Sequence, residues 1–211
     1  MEIIVEAQKS IIKKHGLYNW FDNYPWLTGY IGDIHSPIWF IAENPSLSQV
    51  FKQSRKTILN NNLQWNASPG DQLLREAITE AGLKTGIATN DEGWKCYITN
   101  VIKEPDIVTE RNQKKREPDF WKEQAIIWQP VLQKQIAEGS PRIIILLGGQ
   151  AEKIYKYMIQ NGLRGPRYVK IHHYSYIMLR PESGTNRGPR HPARIKEFKQ
   201  SIIDILNDCN Y

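Results

Sequence analysis

The polar residues that could take part in chemistry fall where short apolar segments of the chain end. Glu43 and Asn44 follow one such segment, Asn100 ends a second, and His172 and His173 follow another. A carboxylate can accept a proton, a carboxamide offers both a donor and an acceptor, and an imidazole can stabilise developing negative charge. Each residue alone is a weak signal, so the fold must decide whether they act together.

Strands that alternate with helices are predicted to position these residues. Apolar strands are predicted at 38–42, 96–101, 142–147 and 168–176, and helices at 71–78, 120–138, 150–160 and 194–206. This alternation is typical of a parallel sheet covered on both faces, with ligands bound outside the carboxyl ends of the strands. The predicted fold is therefore α/β, a three-layer sandwich with a central, mainly parallel four-stranded sheet flanked by helices.

Length and composition are those of one globular domain. The chain has 211 residues, of which 40% are hydrophobic and 24% charged, and these values exclude intrinsic disorder and repetitive architectures. We expect a single domain over residues 1–211, in which residues 1–35 form a helical and aromatic-rich lead-in. No apolar stretch approaches the roughly 18 residues of a membrane span and no signal peptide is recognisable, so we expect a cytoplasmic monomer without membrane contact.

The cysteine count limits the cofactor chemistry. Cys96 and Cys209 are the two cysteines of the chain, too few for a disulfide framework, a Cys-rich zinc site or an all-cysteine iron–sulfur cluster. We therefore expect chemistry without a metal, and no nucleotide cofactor is called for.

The positive charge is concentrated in one part of the sequence. The chain carries 28 Lys and Arg against 22 Asp and Glu, a net charge of +6. Residues 164–199 contribute +7 of this and the rest of the chain −1. Clustering of basic residues is what contact with a phosphate backbone requires, so this stretch predicts nucleic-acid binding, with a solvated surface as the alternative.

Four short motifs follow one another along the chain. They are Ala42-Glu43-Asn44-Pro45-Ser46 after an apolar strand, Trp65 before Gly70-Asp71-Gln72-Leu73-Leu74, Thr99-Asn100-Val101 at a strand end, and the segment 141–151 with its Leu-Gly-Gly-Gln-Ala ending. Their order and spacing resemble the uracil-DNA glycosylase superfamily, over most of the chain from about residue 38 to residue 206. This resemblance implies an enzyme that flips a base out of DNA and hydrolyses its N-glycosidic bond.

The resemblance implies a role for each candidate residue. Trp65 would stack on the flipped base, and Asn100 would read its Watson–Crick edge. Either Glu43 or Asn44 would position or activate water, and Glu43 is preferred as the base because a carboxylate can accept a proton and an amide cannot. Ser46 stands where some uracil-specific relatives have a tyrosine that excludes groups on C5. This small residue leaves room for uracil, thymine or a C5-substituted cytosine.

The histidine of the family's His-Pro-Ser motif has three candidates in this chain. His173, within His172-His173-Tyr174-Ser175, is preferred and would stabilise negative charge on the base oxygen in the transition state. Tyr174 stands in the place of the family's proline. His172 and His191 are the alternatives, although the His-Pro-Ala sequence that begins at His191 abuts a predicted helix and does not follow a strand.

A basic loop after the histidine motif is expected to contact DNA. In the family, this loop inserts a side chain into the duplex and contacts phosphates, and Leu179 or Arg180 is the candidate for insertion. The residues expected to contact DNA are Ser175, Arg180, Arg187, Arg190 and Arg194.

Together, these observations predict a monofunctional DNA glycosylase. It would excise uracil or a modified pyrimidine, including C5-substituted bases with which phages protect their DNA, in base-excision repair or anti-phage defence. The alternative is a catalytically inactive nucleic-acid-binding module with the same fold. An unrelated α/β hydrolase with an oxyanion site at Gly148-Gly149 ranks last, because the chain lacks a Gly-x-Ser-x-Gly elbow.

Overall fold

Strands and helices alternate along the chain, as the apolar pattern predicts. The computed structural model describes residues 2–45, 69–88, 91–105, 119–175 and 191–209. The strands are β1 (Ile31–Gly32), β2 (Ile38–Ala42), β3 (Tyr97–Asn100), β4 (Ile143–Leu147) and β5 (Arg167–Ile171). The helices are α1 (Glu2–His15), α2 (Pro69–Glu80), α3 (Phe120–Gly139), α4 (Gly149–Gln160) and α5 (Pro192–Asp208), with a short 3-10 helix at Trp20–Asp22.

The five strands form one sheet in the order β1-β3-β2-β4-β5. Strands β2 to β5 pair in parallel, and β1 pairs with β3 in the antiparallel sense. Every residue of β2 and β4 is buried, which explains why their sequences are continuously apolar. The predicted four-stranded sheet is corrected to five strands, because β1 has only two residues and is too short to produce a recognisable pattern.

Helices cover both faces of the sheet and confirm the predicted three-layer sandwich. Helices α1, α3 and α4 pack with the aromatic lead-in on one face, where Trp20 lies 5.8 Å from Trp128 between ring centroids. Helices α2 and α5 pack on the other face. Each of the five described helices falls short of the length or the hydropathy that a bilayer-spanning helix needs.

Most element boundaries agree with the sequence prediction, and one does not. Helix α3 continues through Pro130, as predicted. Helix α5 begins at Pro192, directly after His191, so the His-Pro-Ala sequence does abut a helix. The predicted strand over 168–176 is wrong at its carboxyl end, because the chain leaves the sheet after Ile171 and turns to form hydrogen bonds around His173.

The connections create a topological switch point at the carboxyl end of β2. The β2–α2–β3 connection places β3 on one side of β2, whereas the β3–α3–β4 connection returns to the other side. Ligands bind outside the carboxyl ends of strands at such a switch point. At this carboxyl end of the sheet, Asn100 ends β3, and Glu43, Gly148 and His173 follow β2, β4 and β5. Neighbouring strands in a sheet lie about 4.8 Å apart.

Candidate active site

The first motif is fixed to the end of the sheet through its backbone. The N–H groups of Val101 and Ile102 donate to the carbonyls of Ala42 and Glu43, each at 2.9 Å. The Glu43 side chain is half-buried, and the described residues give its carboxylate no hydrogen bond or ion pair. Asn44 differs, since its Nδ2 donates to the Pro45 carbonyl at 3.0 Å. The choice of Glu43 over Asn44 as the group that handles water stays a prediction.

Asn100 is fully buried, and one of its two side-chain polar atoms has a hydrogen-bond partner among the described residues. Its Nδ2 donates to the Gly29 carbonyl at 2.9 Å, and its Oδ1 is buried without a hydrogen-bond partner in the described part of the chain. A carbonyl only accepts, so this bond fixes which way the amide faces. Gly29 has a φ of +72°, and a Cβ there would lie 3.1 Å from the Pro45 ring. Asn100 therefore presents an acceptor, close to the first motif.

A buried lysine lies behind Asn100. Lys103 is 0% exposed, and its Nζ donates to Thr99 Oγ1 at 2.8 Å and to the Asn100 carbonyl and Gln135 Oε1 at 2.5 Å. Burial lowers the pKa of Lys103 well below its ordinary value. Lys103 was not among the residues predicted from the sequence. The available signal was a lysine directly after the apolar Val101-Ile102.

The contacts of Lys103 continue into the core through Gln135 on α3. Gln135 Nε2 donates to the Tyr97 hydroxyl at 2.8 Å. Burial raises the pKa of Tyr97 well above its ordinary value, so this phenol stays neutral. We refer to Tyr97, Thr99, Lys103 and Gln135 as the Lys103 cluster. It connects the end of β3 rigidly to the helix layer behind it.

His173 is held by the turn that follows β5. The Ser175 N–H donates to His173 Nδ1 at 3.1 Å, and Ser175 Oγ lies 2.7 Å from the same atom. Because a backbone N–H only donates, Nδ1 is an acceptor, and the neutral ring carries its proton on Nε2. Gly148 packs against this side chain, since a Cβ at Gly148 would lie 2.8 Å from His173 Cβ. The imidazole is thus fixed in position and tautomer.

Tyr174, which replaces the family's proline, anchors the same turn from the other side. Its ring lies 4.0 Å from the His173 ring between centroids, and its side chain hydrogen-bonds Asp71 in the first turn of α2. Burial, followed by the Asp71 charge and this hydrogen bond, raises the pKa of Tyr174 well above its ordinary value. A tyrosine held by Asp71 therefore stands where relatives have the rigid ring of proline. Asp71 was not among the residues predicted from the sequence.

The two alternative histidines lie in different surroundings. His172 is exposed, and its Nε2 lies 3.7 Å from Glu197 on α5. His191 directly precedes α5, and among the described residues its buried Nδ1 has no hydrogen-bond partner. Gly148 and Ser175 contact His173, and the choice of His173 over His172 and His191 stays a prediction.

The basic stretch is divided between the two ends of the sheet. Arg167 opens β5, about 16 Å along the strand from the histidines. Lys170 and Lys199 form ion pairs with Glu152 and Glu80 at 3.4 and 2.5 Å. Arg194, in the first turn of α5, is half-buried at the carboxyl end of the sheet. The described basic residues of this stretch thus lie at both ends of the sheet.

Six predicted site residues lie outside the described residues. They are Ser46, Trp65, Leu179, Arg180, Arg187 and Arg190. Ser175 is described, but it contacts the His173 ring; its contact with DNA stays a prediction.

The family assignment follows from a match that includes this whole end of the sheet. The family model of the uracil DNA glycosylase superfamily matches residues 29–204. That range begins at Gly29 and includes β2 to β5 and most of α5. The chain belongs to the uracil DNA glycosylase superfamily, and membership supports a DNA glycosylase-like role with DNA as the partner. No curated protein matches the chain.

Proposed function

We propose that the protein is a monofunctional DNA glycosylase that excises uracil or a modified pyrimidine and leaves an abasic site. The observation that carries the proposal is the placement of three chemical groups at the carboxyl ends of parallel strands in one sheet: the Glu43 carboxylate, the buried Asn100 Oδ1 and the His173 imidazole. They can respectively activate water, bind a base edge and stabilise a leaving anion. Repair of DNA and defence against phages with modified bases both require this reaction.

The orientation of Asn100 determines which contacts it can make with a base. One of the two Nδ2 hydrogens is donated to Gly29, so the unpaired Oδ1 can accept from an N–H group of the base and the second Nδ2 hydrogen can donate to a base oxygen. Uracil and thymine offer N3–H, and cytosine offers its exocyclic amino group. A base without such a donor would leave a buried acceptor unpaired, at a cost of about 1–3 kcal/mol. We infer further that Trp65 stacks on the base and that Ser46 leaves space beside C5.

The reaction is a hydrolysis at C1′ of the nucleotide. Glu43 accepts a proton from water as the water oxygen bonds to C1′, and the bond from C1′ to the base nitrogen breaks with its electron pair leaving on the base. His173 donates its Nε2–H to the base oxygen, where the negative charge develops. A proton from solvent then neutralises the departed base.

We propose that the loop after the histidine motif holds the duplex. Arg180, Arg187, Arg190, Arg194 and Ser175 would contact phosphates, with Leu179 or Arg180 inserted into the stack. Each phosphate contact releases condensed cations, so Arg187→Ala and Arg190→Ala should each reduce the slope of log affinity against log salt by about one. Unchanged slopes in both variants would contradict this interface.

The proposed function is tested by excision from duplexes that each carry one candidate base. These bases are uracil, 5-fluorouracil, thymine opposite guanine, 5-hydroxymethyluracil and 5-hydroxymethylcytosine, and the product is an alkali-labile abasic site. We expect excision of at least one of them and a loss of about 10²–10³-fold in His173→Ala. His172→Ala and His191→Ala are the matched controls for the two alternative histidines, and both should retain the wild-type rate.

Tight binding of these duplexes without release of any base would contradict the proposal and favour the catalytically inactive nucleic-acid-binding module.

A further inference from the structure

Lys103 has a fully buried side-chain amino group that the chemistry proposed above does not use. We propose that Lys103 is a positioning residue for base excision, whose buried ammonium fixes Asn100 and supplies the positive potential in which the base departs as an anion. This inference rests on the proposed function, because it concerns the same site.

The hydrogen bonds of the Lys103 amino group hold Asn100 in place. The three N–H bonds of the ammonium match three acceptors, on Thr99, Asn100 and Gln135. Asn100 is therefore held at two points, its carbonyl by Lys103 and its side-chain amide by Gly29. Without the ammonium, the Asn100 carbonyl and Gln135 Oε1 lose a buried donor, and the strand end that carries the base-binding side chain is free to shift.

Lys103 and the buried Arg75 have different kinds of partner. Arg75, also 0% exposed, is paired with the Asp91 carboxylate at 2.5 Å, whereas among the described residues each hydrogen-bond acceptor of Lys103 is an uncharged oxygen. A buried cation without a counter-charge is unfavourable. An anion that forms beside it relieves that cost, and during excision the departing base becomes such an anion.

The negative charge on the base develops only as its bond to C1′ breaks, so the ammonium affects the rate of excision. The base is neutral before its bond breaks, so the ammonium favours the transition state over the bound substrate. A unit charge about 8 Å from a developing anion, at an effective dielectric constant of about 20, changes a rate by about 30-fold.

A second buried lysine provides a matched control. Lys84 is 2% exposed, and its Nζ donates to the carbonyls of Thr85 and Ile87 at 3.2 and 2.9 Å. It bridges to Trp94 in the loop before β3, which six residues of extended chain place about 20 Å from Asn100. Lys84→Met therefore removes a similar buried ammonium far from the site.

The experiment compares Lys103→Met and Lys84→Met in single-turnover excision of uracil and 5-fluorouracil. Fluorine withdraws electrons and makes the base a better leaving group, so its departure depends less on an external positive charge. We expect Lys103→Met to slow uracil excision about 30-fold and 5-fluorouracil excision several-fold less. Lys84→Met should change both rates by the same small factor.

The ratio of the two losses in one preparation does not depend on how much of the variant is folded. Lys103→Gln, which keeps a polar end group, provides the same ratio if the methionine variant does not fold. Equal losses on both bases would overturn the inference while leaving the proposed function intact. A wild-type protein that excises no base from any duplex overturns the proposed function, and this inference with it.

Discussion

The two ends of β3 treat buried positive charge in different ways. Before the strand, Arg75 is paired with Asp91, and Lys84 donates to two carbonyls of its own loop. After the strand, Lys103 donates to uncharged oxygens drawn from β3 and α3, next to an Asn100 Oδ1 that has no partner among the described residues.

We interpret the buried polar groups before β3 as structural and those after β3 as functional. Buried polar groups in folded proteins are normally satisfied, and exceptions concentrate where a ligand will complete the set. Changes before β3 should therefore alter the free energy of unfolding, and changes after β3 should alter excision. The following predictions test that division.

The largest effect is expected for Glu43→Gln. Loss of the carboxylate that accepts the proton of water should slow excision about 10²–10⁴-fold, with little change in stability because the described residues give this side chain no partner. Single-turnover excision and chemical denaturation measure the two quantities. The control is Glu80→Gln, which removes an exposed partner of Lys199. Wild-type excision by Glu43→Gln would contradict the assignment of the base.

Asp91→Ala should have the opposite profile. It leaves the Arg75 guanidinium buried without this carboxylate, which should lower the free energy of unfolding by about 3 kcal/mol. Excision per folded molecule should stay at the wild-type value, because the loop before β3 lies at the other end of the strand from the site. A larger loss of excision than the folded fraction explains would break the division between the two ends.

A smaller effect is expected at the glycine behind His173. Gly148 has a φ of +95°, so Gly148→Ala carries backbone strain of about 1–2 kcal/mol, and its new Cβ displaces the imidazole. We expect excision to fall about tenfold. Gly149→Ala is the matched control, because its Cβ would meet nothing within 4 Å at the start of α4. Equal rates in the two variants would contradict a fixed role for His173.

The smallest effect is the dependence of stability on pH. The pKa of Lys103 is lowered from 10.5, so between its folded pKa and 10.5 the unfolded chain binds more protons. The stability of the wild type should therefore rise with pH in that window relative to Lys103→Met, by less than about 1.4 kcal/mol per pH unit. Denaturation at several pH values below 10 measures this, and a constant difference between the two proteins would contradict it.

The same pH trend is expected for Lys84, whose pKa is also lowered, first by burial and then by Arg75. Stability against pH therefore does not separate the two lysines. Excision does, and this contrast sharpens the comparison between the two ends of β3.

The apolar pattern of the sequence was sufficient to predict the layers of the fold. Continuous apolar strands predicted the parallel sheet, and the rule that ligands bind at carboxyl ends selected Glu43, Asn100 and His173 from among many polar residues. The two-residue β1 could not be predicted, because so short a strand depends on its pairing with β3.

The support behind the site could not be read from the sequence. Gly29 meets Asn100 across 71 positions, and Gln135 meets Lys103 across 32. Tyr174 finds Asp71 on a different helix. Such contacts depend on packing between elements and leave no local pattern. The charge of residues 164–199 was likewise visible in sequence, but its division between two ends of the sheet was not.

The most direct test of the central claim is the fate of the base and of water in one experiment. Duplex with an excisable pyrimidine is incubated with the protein in ¹⁸O-labelled water, and both products are weighed by mass spectrometry. The account predicts an intact free base without label and an abasic sugar with ¹⁸O at C1′. Binding that releases no free base, or a released base that carries the label while the sugar does not, would contradict hydrolysis of the glycosidic bond at this site.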